Sequence, residues 1–235
     1  MITFIYWTDF SGSDIDLFFS VCHPYLTPQI VNKQMKYKNK EAALSYLLGR
    51  LLLWYGTIDL LGSSSPLTLC FTNHEKPYFK EGPFFNISHS GNYVACAINS
   101  KYNIGMDLEI IKPICYTDFQ DYFTIPEWDY IVDSASPTQT FYKLWTRKEA
   151  VIKADGKGLG IPLNSFSTLE DTLYFNSQHF LFEELDFSSE YMGHLVVMSE
   201  SDFSSNSTEH ISHFIPLEEL LIKLKTFPFL LSDLN

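Results

Sequence analysis

The sequence predicts an α+β fold of two similar halves, each a long helix packed on a small antiparallel sheet. Two observations carry this: a helix-length apolar segment is followed by several short strand-like runs, and the same order then repeats after residue 125. An alternating βαβ sheet would instead interleave helices with strands. With 235 residues, 46% of them hydrophobic and 16% aromatic, the chain has enough apolar side chain to bury a sizeable core.

In order, Ile2 to Trp7 reads as a short edge strand, and Lys40 to Leu61, apolar nearly all round, as a buried helix. Strand-like runs follow at Leu67–Thr72, Phe84–Ser88, Tyr93–Ile98 and Ile104–Ile111, separated by turn formers such as Ser90-Gly91-Asn92. The second half begins with helices at Pro126–Ser134 and Pro137–Asp155, the latter stopping at Gly156 as a C-cap. Further strands are expected at Ser165–Leu169, Leu173–Asn176, Phe180–Phe187, His194–Ser199 and Ile211–Ile215, with a last helix from Leu217 to about Thr226. The halves are expected to divide as 1–103 and 104–235. The Ser-rich stretch Ser199–Ser207 reads as a surface loop.

The net charge of −12 argues against a nucleic-acid partner, because duplex binding rests on neutralising phosphates. The chain contains no run of about 18 apolar residues, and its N-terminus lacks a signal-peptide pattern. A cytoplasmic protein without a membrane partner is expected. The four cysteines are widely spaced and fit neither a zinc site nor a disulfide framework. Of 16 basic residues, five lie within Lys33–Arg50 and five within Lys143–Lys157. Solvated helix faces explain such runs most simply; two basic patches on an acidic body also suit a small polyanion.

Asp107 and Glu109 stand two apart on a strand, so both carboxylates leave one face, while Met106, Leu108 and Ile110 leave the other. That suits Mg²⁺, and equally a solvent-facing strand side. In the helix FYKLWTRKEAVIKADGKG, Lys148 falls near the middle of an apolar face, as a snorkelling side chain or as an anion contact. Glu149 and Lys153 have the i,i+4 spacing of an ordinary helix salt bridge. Ser88 and His89 lie near a hairpin tip that is open either to solvent or to a phosphate, and Lys76 precedes a rigid Pro77-Tyr78.

Taken together, KPY at 76–78, FNISHSG at 85–91, IGMDLE at 104–109 and FYKLWTRKEAVIKADGKGL at 141–159 resemble the successive motifs of the 4′-phosphopantetheinyl transferases, specifically the larger, two-half, surfactin-synthetase-type class. IPLNSF at 161–166 resembles the continuation. The resemblance implies a monomer of two pseudo-symmetric halves with coenzyme A in the cleft between them. It implies transfer of the phosphopantetheine arm to a serine of an acyl, peptidyl or polyketide carrier protein, releasing adenosine 3′,5′-bisphosphate.

By motif position, Asp107, Glu109 and Glu149 would hold Mg²⁺, or Mn²⁺ in its place, and Lys153 would meet the pyrophosphate. Lys76, Ser88 and His89 would bind the adenosine end and its 3′-phosphate, and Lys148 would help fix the nucleotide. Glu149, a bound water or Asp107 would take the serine proton. One departure stands out: Ser45 occupies a position where the family commonly has arginine, so Arg50, Lys33 or Lys36 is expected to supply that phosphate contact. A different class of function, a catalytically silent module that binds coenzyme A and a carrier, is the alternative, and an unrelated magnesium-dependent phosphate-ester enzyme is a third. Apolar residues around Tyr116–Trp128 are expected either to dock the carrier or to pack into the core.

Overall fold

The computed structural model describes residues 2–62, 67–203, 209–227 and 231–233. By internal contacts the chain divides into two units, Lys101–Ser207 and Ile2–Ser100 with Thr208–Asn235. The expected division assigned all of 104–235 to the second half. The final segment instead belongs with the first.

In the first unit β1 (Ile2–Asp9) leads into α1 (Ile15–Cys22) and α2 (Pro28–Gln34). The sequence reading assigns nothing between Trp7 and Lys40, yet both helices have clear N-caps: the Leu17 amide donates to Asp14, and the Ile30 amide lies 3.5 Å from the Thr27 hydroxyl, ahead of Pro28. Next comes α3 (Lys40–Leu61), whose N-cap Asn39 accepts from the Ala42 amide at 2.8 Å. Its burial on nearly every side explains the absence of amphipathic period, since Leu44, Leu47, Leu48, Leu51, Leu52 and Trp54 all lie in one core.

Then follow β2 (Leu67–Phe71), β3 (Pro77–Phe79), β4 (Phe84–Ser90) and β5 (Tyr93–Asn99). β1 is an interior strand, not an edge: it pairs antiparallel with β5 and parallel with a later strand, β10 (Glu209–Phe214), in the order β10-β1-β5-β4. The sheet is therefore mixed, with one parallel pair that only a long-range return of the chain could make.

The second unit contains β6 (Asn103–Ile110), α4 (Ile125–Val132), α5 (Pro137–Asp155), β7 (Thr172–Phe175), β8 (Gln178–Leu185) and β9 (Tyr191–Ser199). Its sheet is antiparallel in the order β6-β9-β8-β7, and α5 packs on β6 and β9. Back in the first unit, α6 (Leu217–Thr226) contributes Leu220 and Leu224 to the core, and β11 (Leu231–Asp233) pairs with β2. The long helices at 40–61 and 137–155 match the expected bounds.

The expected strand at Ser165–Leu169 does not form. A short 3₁₀ turn at Leu163–Ser165 and irregular chain take its place, because the backbone there is committed to side chains of α5. Residues 204–207 of the Ser-rich stretch lie outside the described residues. The cysteines are free thiols, with Cys22 and Cys96 buried and Cys115 exposed. Among the described residues no helix is long and apolar enough to cross a membrane.

Candidate active site

The site in the second unit begins with a glycine. An added Cβ on Gly105 would lie 1.9 Å from the carbonyl oxygen of Ala150 and 2.4 Å from the amide nitrogen of Ala154. Only a residue with no side chain lets α5 come this close to β6. Gly105, Asp107 and Glu109 share one face of β6, so the same approach puts the two carboxylates against α5. Met106 and Leu108 bury the other face, and on this one Asp107 is only 4% exposed and Glu109 half-buried, so the strand side is not simply solvent-facing.

Lys153 Nζ lies 2.6 Å from Asp107 Oδ1, with the carboxylate only 5% exposed and the lysine 30%. The lysine thus bridges helix and strand. Glu149, one turn earlier, has its carboxyl pKa raised, first by burial and then by the negative charges of Asp107 and Glu109, against a lowering by Lys153. Those three carboxylates and one ammonium are electrostatic neighbours within a single unit. Among the described residues no set of three His, Cys, Asp or Glu side chains stands ready-made around a metal position.

The row of side chains continues across the sheet, because Asp107 is opposite His194 and His194 opposite Glu184. His194 is fully buried, with Nδ1 2.7 Å from the Thr146 hydroxyl. That hydroxyl donates to the Tyr142 carbonyl at 2.8 Å, so it accepts from His194 Nδ1–H and fixes the tautomer. Burial, with the charges of Arg147 and Lys143 adding, pushes the imidazole pKa down to about 3.

Lys148 corrects the sequence expectation. It is fully buried, and its ammonium lies 2.8 Å from Glu127 Oε2 and donates to the carbonyls of Leu163 and Phe166 at 2.7 Å each. All three donors are engaged inside the unit, so the lysine has none for a nucleotide. Arg147 beside it donates to the Thr168, Leu169 and Glu170 carbonyls and pairs with Asp171. With Lys143 on Glu184 and Lys157 on Asp155, the second basic run is internally paired throughout. Its middle, Arg147 and Lys148, is buried, whereas Lys143 and Lys157 at its ends remain exposed to solvent.

The remaining predicted residues lie in the first unit. A cavity of about 180 Å³ is lined by Tyr37, Ser45, Tyr46, Gly49, Arg50, Pro77, Ile87 and His89. Ser45 and Arg50, both on α3, share it. Lys33 sits over the rings of Tyr46 and Phe71 at 5.5 and 5.1 Å, and Arg50 over Tyr46 at 5.6 Å. Ser88 is buried and His89 exposed, as neighbours on a strand must point to opposite faces. Lys76, half-buried, immediately precedes β3.

Residues 103–199 match the sequence profile of the 4′-phosphopantetheinyl transferase superfamily. Over 149 residues the chain is 36% identical to 4′-phosphopantetheinyl transferase Sfp of Bacillus subtilis (strain 168), a match covering 61% of this chain and 66% of that one. Residues 103–199 are a segment of this superfamily's type. It is also 38% identical over 135 residues to 4′-phosphopantetheinyl transferase gsp of Aneurinibacillus migulanus, 56% of each chain. A shorter match, 38% over 95 residues, is to the L-aminoadipate-semialdehyde dehydrogenase-phosphopantetheinyl transferase of Schizosaccharomyces pombe, covering 37% of that protein. The chain spans between 56% and 66% of the first two relatives' lengths. The superfamily match contains Asp107, Glu109, Glu149 and Lys153 and stops short of Lys33, Arg50, Lys76, Ser88 and His89.

Sequence reasoning passed over Glu127. Its signal was present as the Thr124-x-x-Glu127 capping box, which announces a helix start but says nothing of a buried partner.

Proposed function

We propose that this chain transfers the 4′-phosphopantetheine arm of coenzyme A to a serine hydroxyl of a carrier protein, releasing adenosine 3′,5′-bisphosphate. The observation that carries the reading is the cluster of Asp107, Glu109, Glu149 and Lys153 within the residues matched to the superfamily.

The donor set fits a hard divalent cation. Three carboxylates crowd one ammonium, and burial first, then the charges of Asp107 and Glu109, hold the Glu149 pKa raised. Asp107, Glu109 and Glu149 would hold Mg²⁺ or Mn²⁺, which when bound neutralises charge on pyrophosphate oxygens. Lys153 supplies a fixed positive charge toward the departing phosphate. Glu149, directly or through a bound water, or Asp107 would take the serine proton.

The adenosine end is assigned to the first unit. Lys33, Lys76, Ser88, His89 and Arg50 bind it, with Arg50 replacing the arginine missing at Ser45; their sharing of one cavity wall supports that exchange. The protein acts as a cytoplasmic monomer without nucleic acid, consistent with its charge of −12.

Phe123 is buried, and Phe119 and Trp128 pack against the aromatic cluster of α5, so these are core residues. Tyr122, Ile125, Tyr130 and Val132 nearby are 45–78% exposed and form the surface offered to the carrier.

The test is intact-mass spectrometry of a panel of apo-carrier proteins incubated with this protein, Mg²⁺ and coenzyme A. A gain of about 340 Da on the acceptor serine is expected for group transfer. No gain on any carrier removes the reading.

A further inference from the structure

Glu127 and Lys148 form an ion pair at 2.8 Å in which both side chains are 0% exposed. Glu127 is fully satisfied: Oε2 accepts from the Thr124 amide and hydroxyl, and Oε1 accepts from the Thr168 amide and hydroxyl. The pair therefore joins the start of α4, the middle of α5 and the chain at 163–168. Taking two charges out of water is costly, and well-packed apolar residues in such a place are often as stable or more so. Stability alone does not explain it.

What the pair fixes is rotation. Glu149 is the next residue along α5, and Lys153 lies four beyond it on the same side of the helix. Three short bonds from one ammonium, to a carboxylate on α4 and two carbonyls on the following chain, define one azimuth for α5 on the sheet. Gly105 sets its height.

We infer that Glu127 and Lys148 are positioning residues, a buried clasp that holds α5 where Glu149 and Lys153 face Asp107, and that they set turnover without touching substrate. This rests on the transferase reading, but the clasp itself can be judged separately.

The experiment compares the native protein with Glu127→Gln, which keeps shape and removes charge, and with the apolar pair Glu127→Leu/Lys148→Met. Each is followed by thermal melting, by transfer kinetics, by Mn²⁺ affinity from electron paramagnetic resonance, and by hydrogen exchange along residues 147–155. The expected result is variants that still melt cooperatively, with kcat down about tenfold or more, as supporting-shell changes produce, and KM for coenzyme A within about twofold. Exchange along α5 rises in both variants, and Mn²⁺ binding weakens. Unchanged kcat in a cooperatively melting variant overturns the inference, as does a raised KM with native kcat, which would mark Lys148 as a substrate contact. If the native protein transfers nothing, the transferase reading fails, and exchange along 147–155 then decides the clasp: native protection in both variants overturns it.

Discussion

At the scale of single residues, His194 shows how burial sets a charge state. Its Nδ1–H is committed to Thr146, and its pKa lies near 3 in the fold against an ordinary value of 6.5. The unfolded chain therefore binds a proton that the folded chain refuses below about pH 6.5, so stability is full above that pH and falls as pH drops toward 3. At pH 5 the loss from this group is on the order of 2 kcal/mol. Urea unfolding at pH 7 and pH 5 checks it: His194→Gln should lose clearly less stability between the two than the native protein, and equal losses would refute the assignment. Asp107 and Glu109 were legible as a same-face pair because strand alternation is a local property. The partner of Lys153 was not, since helix spacing pointed to Glu149 and only the packing of α5 on β6 brings Asp107 to 2.6 Å.

At the scale of elements, α5 is held by contacts that no periodicity encodes. Its limits were readable from Pro137 at the start and Gly156 at the end, where φ is +82°. Gly156→Ala should cost about 1 kcal/mol, because an L side chain in the left-handed region is strained. Gly105→Ala should cost more, about 3 kcal/mol or above, since the new methyl meets backbone atoms of Ala150 and Ala154 that cannot swing aside. Denaturant midpoints for both variants give the comparison, and a smaller cost at Gly105 than at Gly156 would contradict the close packing of helix and strand. The chain at Ser165–Leu169 was misread as a strand for a related reason. Its apolar residues resemble a strand pattern, but its carbonyls are taken by Arg147 and Lys148, a pairing visible only once α5 is placed.

At the scale of the whole molecule, the two long helices and most of the strands were legible because each is a contiguous pattern. The strand order was not, because it depends on a return of the chain. β10 pairs parallel with β1, and Ile215, Leu220 and Leu224 fill the core around α3. Burial of each such side chain contributes about 1.5–3 kcal/mol. A chain ending at residue 203 should therefore lose cooperative folding of the first unit, seen as rapid proteolysis within 2–100; protection equal to that of the full chain would refute this reading of β10 and α6. The central claim is that the Asp107, Glu109, Glu149 and Lys153 cluster performs phosphopantetheine transfer. Its most direct measurement is the intact mass of an apo-carrier after incubation with Mg²⁺, coenzyme A and either the native protein or Asp107→Ala. The account predicts a gain of about 340 Da with the native protein and none with a folded Asp107→Ala variant; equal gains with both would contradict it.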